Sequence, residues 1–252
     1  MRADKYFKEY FGSRSKAQNA LGRGLVLRRG KPLSPSDEVR EGDEFTFLEG
    51  DRFVSNGGLK LEQGLSVFQE DVRGCTVLDL GSSTGGFCDC LLRRGAKKVY
   101  CVDVGEGLLD PLLAQDERVV VMDNTNARYL SPADFPEQFD CLTSDLSFIS
   151  LRLVLPVARE LLKNDGRAFV LFKPQFECEG RGLGKSGILP VRFHAELLSQ
   201  FYDFCTALDF APANIVNAPV RQKKNIEYIV SLRKGSAPVP KEEFMRRAQN
   251  FV

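Results

Sequence analysis

Between Val77 and Leu92 the chain reads VLDLGSSTGGFCDCLL, an apolar run followed by a turn holding Gly81, Gly85 and Gly86. The spacing predicts a strand through Asp79, a glycine-rich turn, and a helix ending near Gly95. Missing side chains let a ligand approach the backbone, and free amides at the helix start favour polar or anionic groups. The pattern is neither a phosphate-cradling loop with a Lys-Ser/Thr ending nor GxGxxG. Acids close the next predicted strands: Asp103 in YCVDVGEG, Asp123 in VVVMDNTNAR and Asp145 in TSDLSFIS. Ligands of doubly wound sheets bind outside the carboxyl ends of the strands, where an acid about twenty residues after the turn can accept from ribose hydroxyls. A nicotinamide dinucleotide would satisfy Asp103 as well. The absent GxGxxG and the further acid at Asp145 argue against it.

Lys173 closes a fifth apolar run, AFVLFKPQFE. A lysine held out of water is a better base toward a hydroxyl than a solvated one. Glu227, in RQKKNIEYIV, begins the last predicted strand. If that strand runs antiparallel to the others, its first residue lies at the edge where Asp145 and Lys173 end. Lys60, in SNGGLKLEQGL, sits on the helix that leads into the first strand and can reach the same cleft. His194 is read as a helix residue bonding locally. Cys141 and Cys178 lack the proline context of a cytosine-methylating nucleophile, and no Asp/Asn-Pro-Pro-aromatic motif is present.

The elements that must position these groups alternate along the chain, as in a doubly wound sheet. Strands are expected at 76–80, 98–103, 118–122, 139–145, 167–173, 213–217 and 227–233. Helices are expected near 60–70, 84–94, 107–114, 151–163 and 191–208, with Pro156 kinking or shortening the fourth. The domain reading is a small N-terminal domain over 1–50, a linker over 51–58, the α/β domain over 59–235 and a tail over 236–252 with a terminal helix. The segment GRGLGKSG, 180–187, reads as a mobile loop.

The 252 residues are 43% hydrophobic and 27% charged, with a net charge of +1. The neutral total conceals nine bases against two acids in residues 1–31, then seven acids against Arg40 in residues 32–51. Bases grouped around the turn GRGLVLRRGK suit a phosphate-facing patch. MRADKYFKEYFG has no apolar signal core, and no run approaches the length of a membrane span. Seven cysteines without a Cys-x-x-Cys pair, and a single histidine, point to a reducing cytoplasm with no structural metal or disulfide framework. The N-terminal pattern is two short helices (4–10 and 16–21), strands at 25–28 and 44–47, and a turn at Arg29–Pro32. With Ser13–Ala17, Gly24-Leu25-Val26 and Arg29-Gly30-Lys31, it resembles the S-four-type RNA-binding domain named for a ribosomal protein.

Asp-Leu-Gly-x-x-x-Gly-Gly-Phe resembles the first motif of S-adenosylmethionine-dependent methyltransferases. Lys60, Asp145, Lys173 and Glu227 match in order, type and context the Lys-Asp-Lys-Glu tetrad of RNA 2′-O-methyltransferases of the FtsJ/RrmJ fold. The phrases VSNGGLKL, DLGSSTGGF, VDVGEG, TNAR, DLSFISL, KPQFE and GKSG resemble the TlyA family, whose members are often called haemolysin or cytotoxin A. The resemblance runs from Arg2 to Leu232.

It implies an α/β fold: a seven-stranded, Rossmann-like methyltransferase sheet with the last strand antiparallel, behind a small α+β RNA-binding domain. It implies S-adenosyl-L-methionine held by Asp79, Gly81, Ser82, Ser83, Thr84, Gly85, Gly86, Phe87, Asp103, Asp123, Asn124 and Asp145. Lys60, Asp145, Lys173 and Glu227 would be catalytic. The expected partner is ribosomal RNA or a ribosomal subunit, reached through Arg14, Lys16, Arg23, Arg28, Arg29, Lys31, Arg181, Lys185, Lys223 and Lys224, with no membrane and no metal. Two positions depart from the family: Asn56 replaces an Arg, and Lys224-Asn225-Ile226-Glu227 replaces Gly-Asn-x-Glu. The rival readings are a non-catalytic RNA-binding or ribosome assembly factor and a membrane-damaging haemolysin.

Overall fold

The computed structural model describes residues 1–22, 24–40, 42–47, 53–184, 186–219 and 224–249, with the backbone alone at 15, 16 and 249. The chain divides into two compact units, Met1–Asn56 and Gly57–Val252.

The first unit opens with helices α1 (Ala3–Tyr6) and α2 (Arg14–Gly22). Strand β1 (Val26–Arg28) pairs antiparallel with β2 (Lys31–Pro32) on one side and with β3 (Phe45–Phe47) on the other. The expected turn covers only Arg29 and Gly30, whose φ angles of 51° and 75° suit a tight hairpin of the primed type. Lys31 and Pro32 already pair as strand. Ala3, Phe7, Ala17, Leu21, Val26, Leu33 and Val39 make the core. Asp4 is buried among polar partners: Arg2, Arg14 and Gln18 donate to its Oδ2 at 3.1, 2.9 and 2.7 Å. Those bonds, Arg2 first, hold its carboxyl well below the usual carboxylate range.

The second unit is a seven-stranded sheet. Helix α3 (Asn56–Phe68) precedes β4 (Thr76–Leu80), and α4 (Gly86–Arg93) follows it. Next come β5 (Lys98–Val102), the short α5 (Pro111–Ala114), β6 (Val119–Met122), β7 (Phe139–Ser144), α6 (Leu155–Leu161) and β8 (Leu162–Phe172). The chain closes with α7 (Pro174–Glu177), α8 (His194–Ala207), β9 (Phe210–Asn217), β10 (Tyr228–Lys234) and α9 (Lys241–Gln249). The strand order is β6-β5-β4-β7-β8-β10-β9, and β10 runs antiparallel to both its neighbours. Every residue of β4 is buried, as a strand covered on both faces requires.

Several boundaries differ from expectation for physical reasons. Pro156 sits in the first turn of α6, where its missing N–H costs nothing, so the helix is short rather than kinked. Strand β8 then starts at Leu162, five residues early, with an irregular register against β7 between Phe139 and Cys141. The segment after residue 235 is not a free tail. Its helix α9 buries Phe244 and Ala248 in the main core, and Val239 N–H donates to Pro212 O at 3.0 Å.

Candidate active site

Strands β4, β5, β6, β7 and β8 are parallel, so their last residues meet at one edge of the sheet. The antiparallel β10 starts at that edge, because Tyr228 is paired with Phe172. Register alone thus brings Gly81, Asp103, Asp123, Asp145, Lys173 and Glu227 to a common rim.

Four of the expected residues join in one network. Lys60 Nζ lies 2.7 Å from Glu227 Oε2 and 3.7 Å from Asp145 Oδ2. Asp145 Oδ1 lies 2.6 Å from Lys173 Nζ. Two lysines alternate with two carboxylates in the order Glu227, Lys60, Asp145, Lys173. The Lys173 side chain is only 6% exposed, whereas Lys60, Asp145 and Glu227 are each about one-fifth exposed. A lysine this enclosed presents its amine to little besides Asp145, Ser147 and the Phe176 ring, whose centroid is 5.7 Å from Nζ.

The glycine-rich turn is built for close approach. Gly81 has φ 80°, and a side chain there would begin 3.1 Å from Asp145 O and 3.0 Å from Leu146 Cδ2. Gly85 has φ 91° at the start of α4, and a Cβ would collide with Leu113 and Leu109. Ser82, Gly85, Gly86 and Phe87 are buried, while Ser83 is exposed and Thr84 half-buried. Asp103 accepts from Ser83 N–H at 2.8 Å and from Gly105 N–H at 2.9 Å, one bond on each oxygen. Asp123 accepts from Gly107 N–H at 2.8 Å, and Asn124 is exposed with φ 52°. Each Asp103 oxygen keeps a second lone pair for hydroxyls.

Asp79 differs from the expectation of a ligand contact. Its carboxyl is fully buried, and Oδ1 accepts from Thr143 Oγ1 at 2.7 Å. Burial first, then the nearby Asp145 and Asp103 charges, push its pKa up to about 7. Asp79 Oδ2 and Ser144 Oγ are buried without a hydrogen-bond partner among the described residues. The side-chain-free turn and the spare acceptors of Asp103 and Asp123 fit a nucleoside with a polar tail. Val104 and Leu108, 67% and 46% exposed, add apolar surface suited to a flat base.

Sequence reasoning missed three residues of the segments that carry Asp145 and Lys173. Ser147 Oγ accepts from Lys173 Nζ at 2.9 Å. Phe148 is 91% exposed, has φ 63° and stands against Phe176 with ring centroids 5.1 Å apart. A positive φ is costly for a bulky residue. Glu177, buried and raised in pKa by that burial, accepts from Ser150 Oγ at 2.6 Å and Leu151 N–H at 2.8 Å. The phrase DLSFIS carried a signal, a serine and an aromatic next to the strand-end acid. His194 is buried, with Nδ1 3.0 Å from Tyr228 Oη; burial lowers its pKa, in line with a local structural part.

The expected RNA contacts separate. Arg14 is engaged by Asp4, and Arg28 donates to Glu38 O at 2.7 Å and Asp43 Oδ2 at 3.2 Å. Arg29 and Lys31 are exposed at the β1–β2 hairpin. Arg181 is exposed, 3.7 Å from Glu196, and Lys224 is exposed as well. Arg23, Lys185, Lys223 and the side chain of Lys16 lie outside the described residues.

The chain is similar to several known proteins. Residues 53–234 match the model of a family described as FtsJ-like methyltransferase. A Bacillus subtilis protein with the provisional name rRNA methyltransferase YqxC is 41% identical, over 93% of this chain and 87% of its own. The 16S/23S rRNA (cytidine-2′-O)-methyltransferase TlyA of Mycobacterium tuberculosis is 40% identical, over 70% of this chain and 67% of its own. A solved structure from Streptococcus thermophilus, described as a hemolysin, superimposes with a TM-score of 0.77 at 34% identity, covering 99% of this chain and 96% of that one.

Proposed function

This chain belongs to the FtsJ-like methyltransferase family, and on that premise we propose that it methylates a ribose 2′-hydroxyl of ribosomal RNA. The observation that carries the reading is the linked chain of Glu227, Lys60, Asp145 and Lys173 on the rim beside the glycine-rich turn.

S-adenosylmethionine, held by the Gly81–Phe87 turn, Asp103, Asp123 and Asn124, supplies a methyl group on a positively charged sulfur. Asp103 and Asp123 would accept from its ribose hydroxyls, and Val104 and Leu108 would offer apolar surface to its base. Asp79 acts through the turn it underlies. On the acceptor side, Lys173 Nζ takes the proton of the 2′-hydroxyl as its oxygen becomes the nucleophile. The ammonium so formed faces Asp145 Oδ1 at 2.6 Å. Lys60 and Glu227 hold Asp145 in place and balance its charge. Alignment of the attacking oxygen supplies much of the rate, since holding reactants in line is worth about 7–11 kcal/mol. The ring of Phe148 offers a face for an unstacked base.

The N-terminal unit is read as an S-four-type RNA-binding module, with Arg29 and Lys31 presented by its hairpin. We assign the enzyme to the cytoplasm, beside the ribosomal RNA it would modify. Transfer of labelled methyl to separated subunits from cells lacking this gene, followed by mapping of the modified ribose, tests the reading. Label on one ribose oxygen supports it. Label on a base, or no label above the level of a Lys173→Ala control, overturns it in favour of a different acceptor or an assembly role.

A further inference from the structure

We infer that Ser147 is a positioning residue for the Lys173 amine, an inference that rests on the reading of Lys173 as the group that takes the ribose proton. Ser147 Oγ lies 2.9 Å from Nζ, and Asp145 Oδ1 lies 2.6 Å from the same atom. Both acceptors come from one loop, two residues apart, and that loop is tied at each end. Asp145 N–H donates to Leu80 O at 3.1 Å. Ser150 Oγ and Leu151 N–H donate to the buried Glu177, four residues after Lys173. Ser147 is therefore held against the lysine by the same segment that carries the lysine.

The physical reason is directional. An amine able to take a proton has two N–H bonds and one lone pair in a tetrahedral array. Asp145 alone fixes one N–H and leaves the lone pair free to swing about that bond. Asp145 and Ser147 together fix both N–H bonds, and the lone pair must occupy the remaining direction. The burial of Lys173 removes most other freedom of the side chain. Of the other groups around the amine, Lys60 and Glu227 bond each other, and Phe176 offers only its ring. During transfer the 2′-hydroxyl proton moves onto the Nζ lone pair, and Ser147 neither gains nor loses a proton. It remains an acceptor for the ammonium, while Asp145 balances the charge.

The test uses the full chain, labelled S-adenosylmethionine and ribosomal subunits from cells lacking the gene, in single-turnover mode. Ser147→Ala is expected to slow transfer about 10- to 100-fold, the scale of a small misplacement of a reacting group. Affinity for S-adenosylhomocysteine and for the subunit should stay unchanged, and Ser147→Thr, which keeps the hydroxyl, should restore most of the rate. On the residual rate of Lys173→Ala, adding Ser147→Ala should have no further effect, because the two act as a unit. A wild-type rate in Ser147→Ala, a loss that Thr does not repair, or a loss that tracks subunit affinity overturns the inference. A near-wild-type rate in Lys173→Ala overturns the reading of Lys173 itself, and the role of Ser147 falls with it.

Discussion

Lys60 Nζ and Glu227 Oε2 are 2.7 Å apart although 167 residues separate them in the chain. They meet because α3 precedes the first strand of the sheet, while β10 returns antiparallel and begins at the rim where the parallel strands end. The same lysine reaches Asp145 Oδ2 at 3.7 Å, so the pair steadies the carboxylate that faces Lys173. Lys60→Met and Glu227→Gln should each slow single-turnover methyl transfer, and the double variant should be no slower than the worse single one. Additive losses in that double-mutant cycle would show that the two residues act separately.

Cofactor affinity should depend on the turn and on Asp103. Gly81→Ala forces a side chain into a φ of 80° and against Asp145 O. Asp103→Asn loses the charge and one of the two oxygens that accept from Ser83 and Gly105. Loss of a charge-assisted hydrogen bond is worth about 1.5–3 kcal/mol, so Asp103→Asn should bind S-adenosylhomocysteine at least about tenfold more weakly by titration calorimetry, and Gly81→Ala should weaken binding through the strained turn. Equal affinities in both variants, with melting curves confirming a folded protein, would remove this edge as the cofactor site.

Asp79 makes stability depend on pH with a defined sign. In the folded protein its carboxyl keeps a proton up to about pH 7, against an ordinary value of 3.8. The folded state therefore binds more protons than the unfolded state between these values. The Asp79 contribution is complete below about pH 4 and is lost as pH rises toward 7. Asp79→Asn retains the acceptor for Thr143 and removes the titration. The melting temperature of the Asn variant should gain on that of the parent from pH 4 to 7, then hold a constant lead. A difference independent of pH would contradict a proton buried at Asp79.

Arg29 and Lys31 should carry a salt-dependent share of RNA binding. Both are exposed, whereas Arg28 is occupied by Glu38 O and Asp43. Arg29→Gln with Lys31→Gln should weaken subunit binding and flatten the plot of log affinity against log salt by about two counterions. Filter binding across a potassium chloride series measures this. An unchanged slope would leave the hairpin bases as solvated charge.

The strand-turn-helix at Asp79–Phe87 and the rim acids were legible because type and spacing there are local properties. An apolar run with a polar residue at its end marks a buried strand and its exit, and glycines mark where a side chain would collide. The tetrad was legible only through resemblance joined to a guess about strand direction. Ser147 and Phe148 were not, since a serine and a phenylalanine in a loop carry no periodic signal. Arg14 and Arg28 read as free cations, because nothing in a list of bases shows which will be taken by Asp4 or by Asp43.

The amino-acid sequence by itself determined the alternation of strands and helices, the glycine-rich turn, and the acids and lysine that close the strands. Each of these is written within a span of about ten residues. Tertiary structure alone decided that β10 enters between β8 and β9 with Tyr228 opposite Phe172, which sets Glu227 beside Lys60. It also decided that Asp79 is sealed in the core while Asp103 stays at the rim. The physical reason is that register, burial and ion pairing depend on which distant segments exclude water together, and that is a property of the packed sheet.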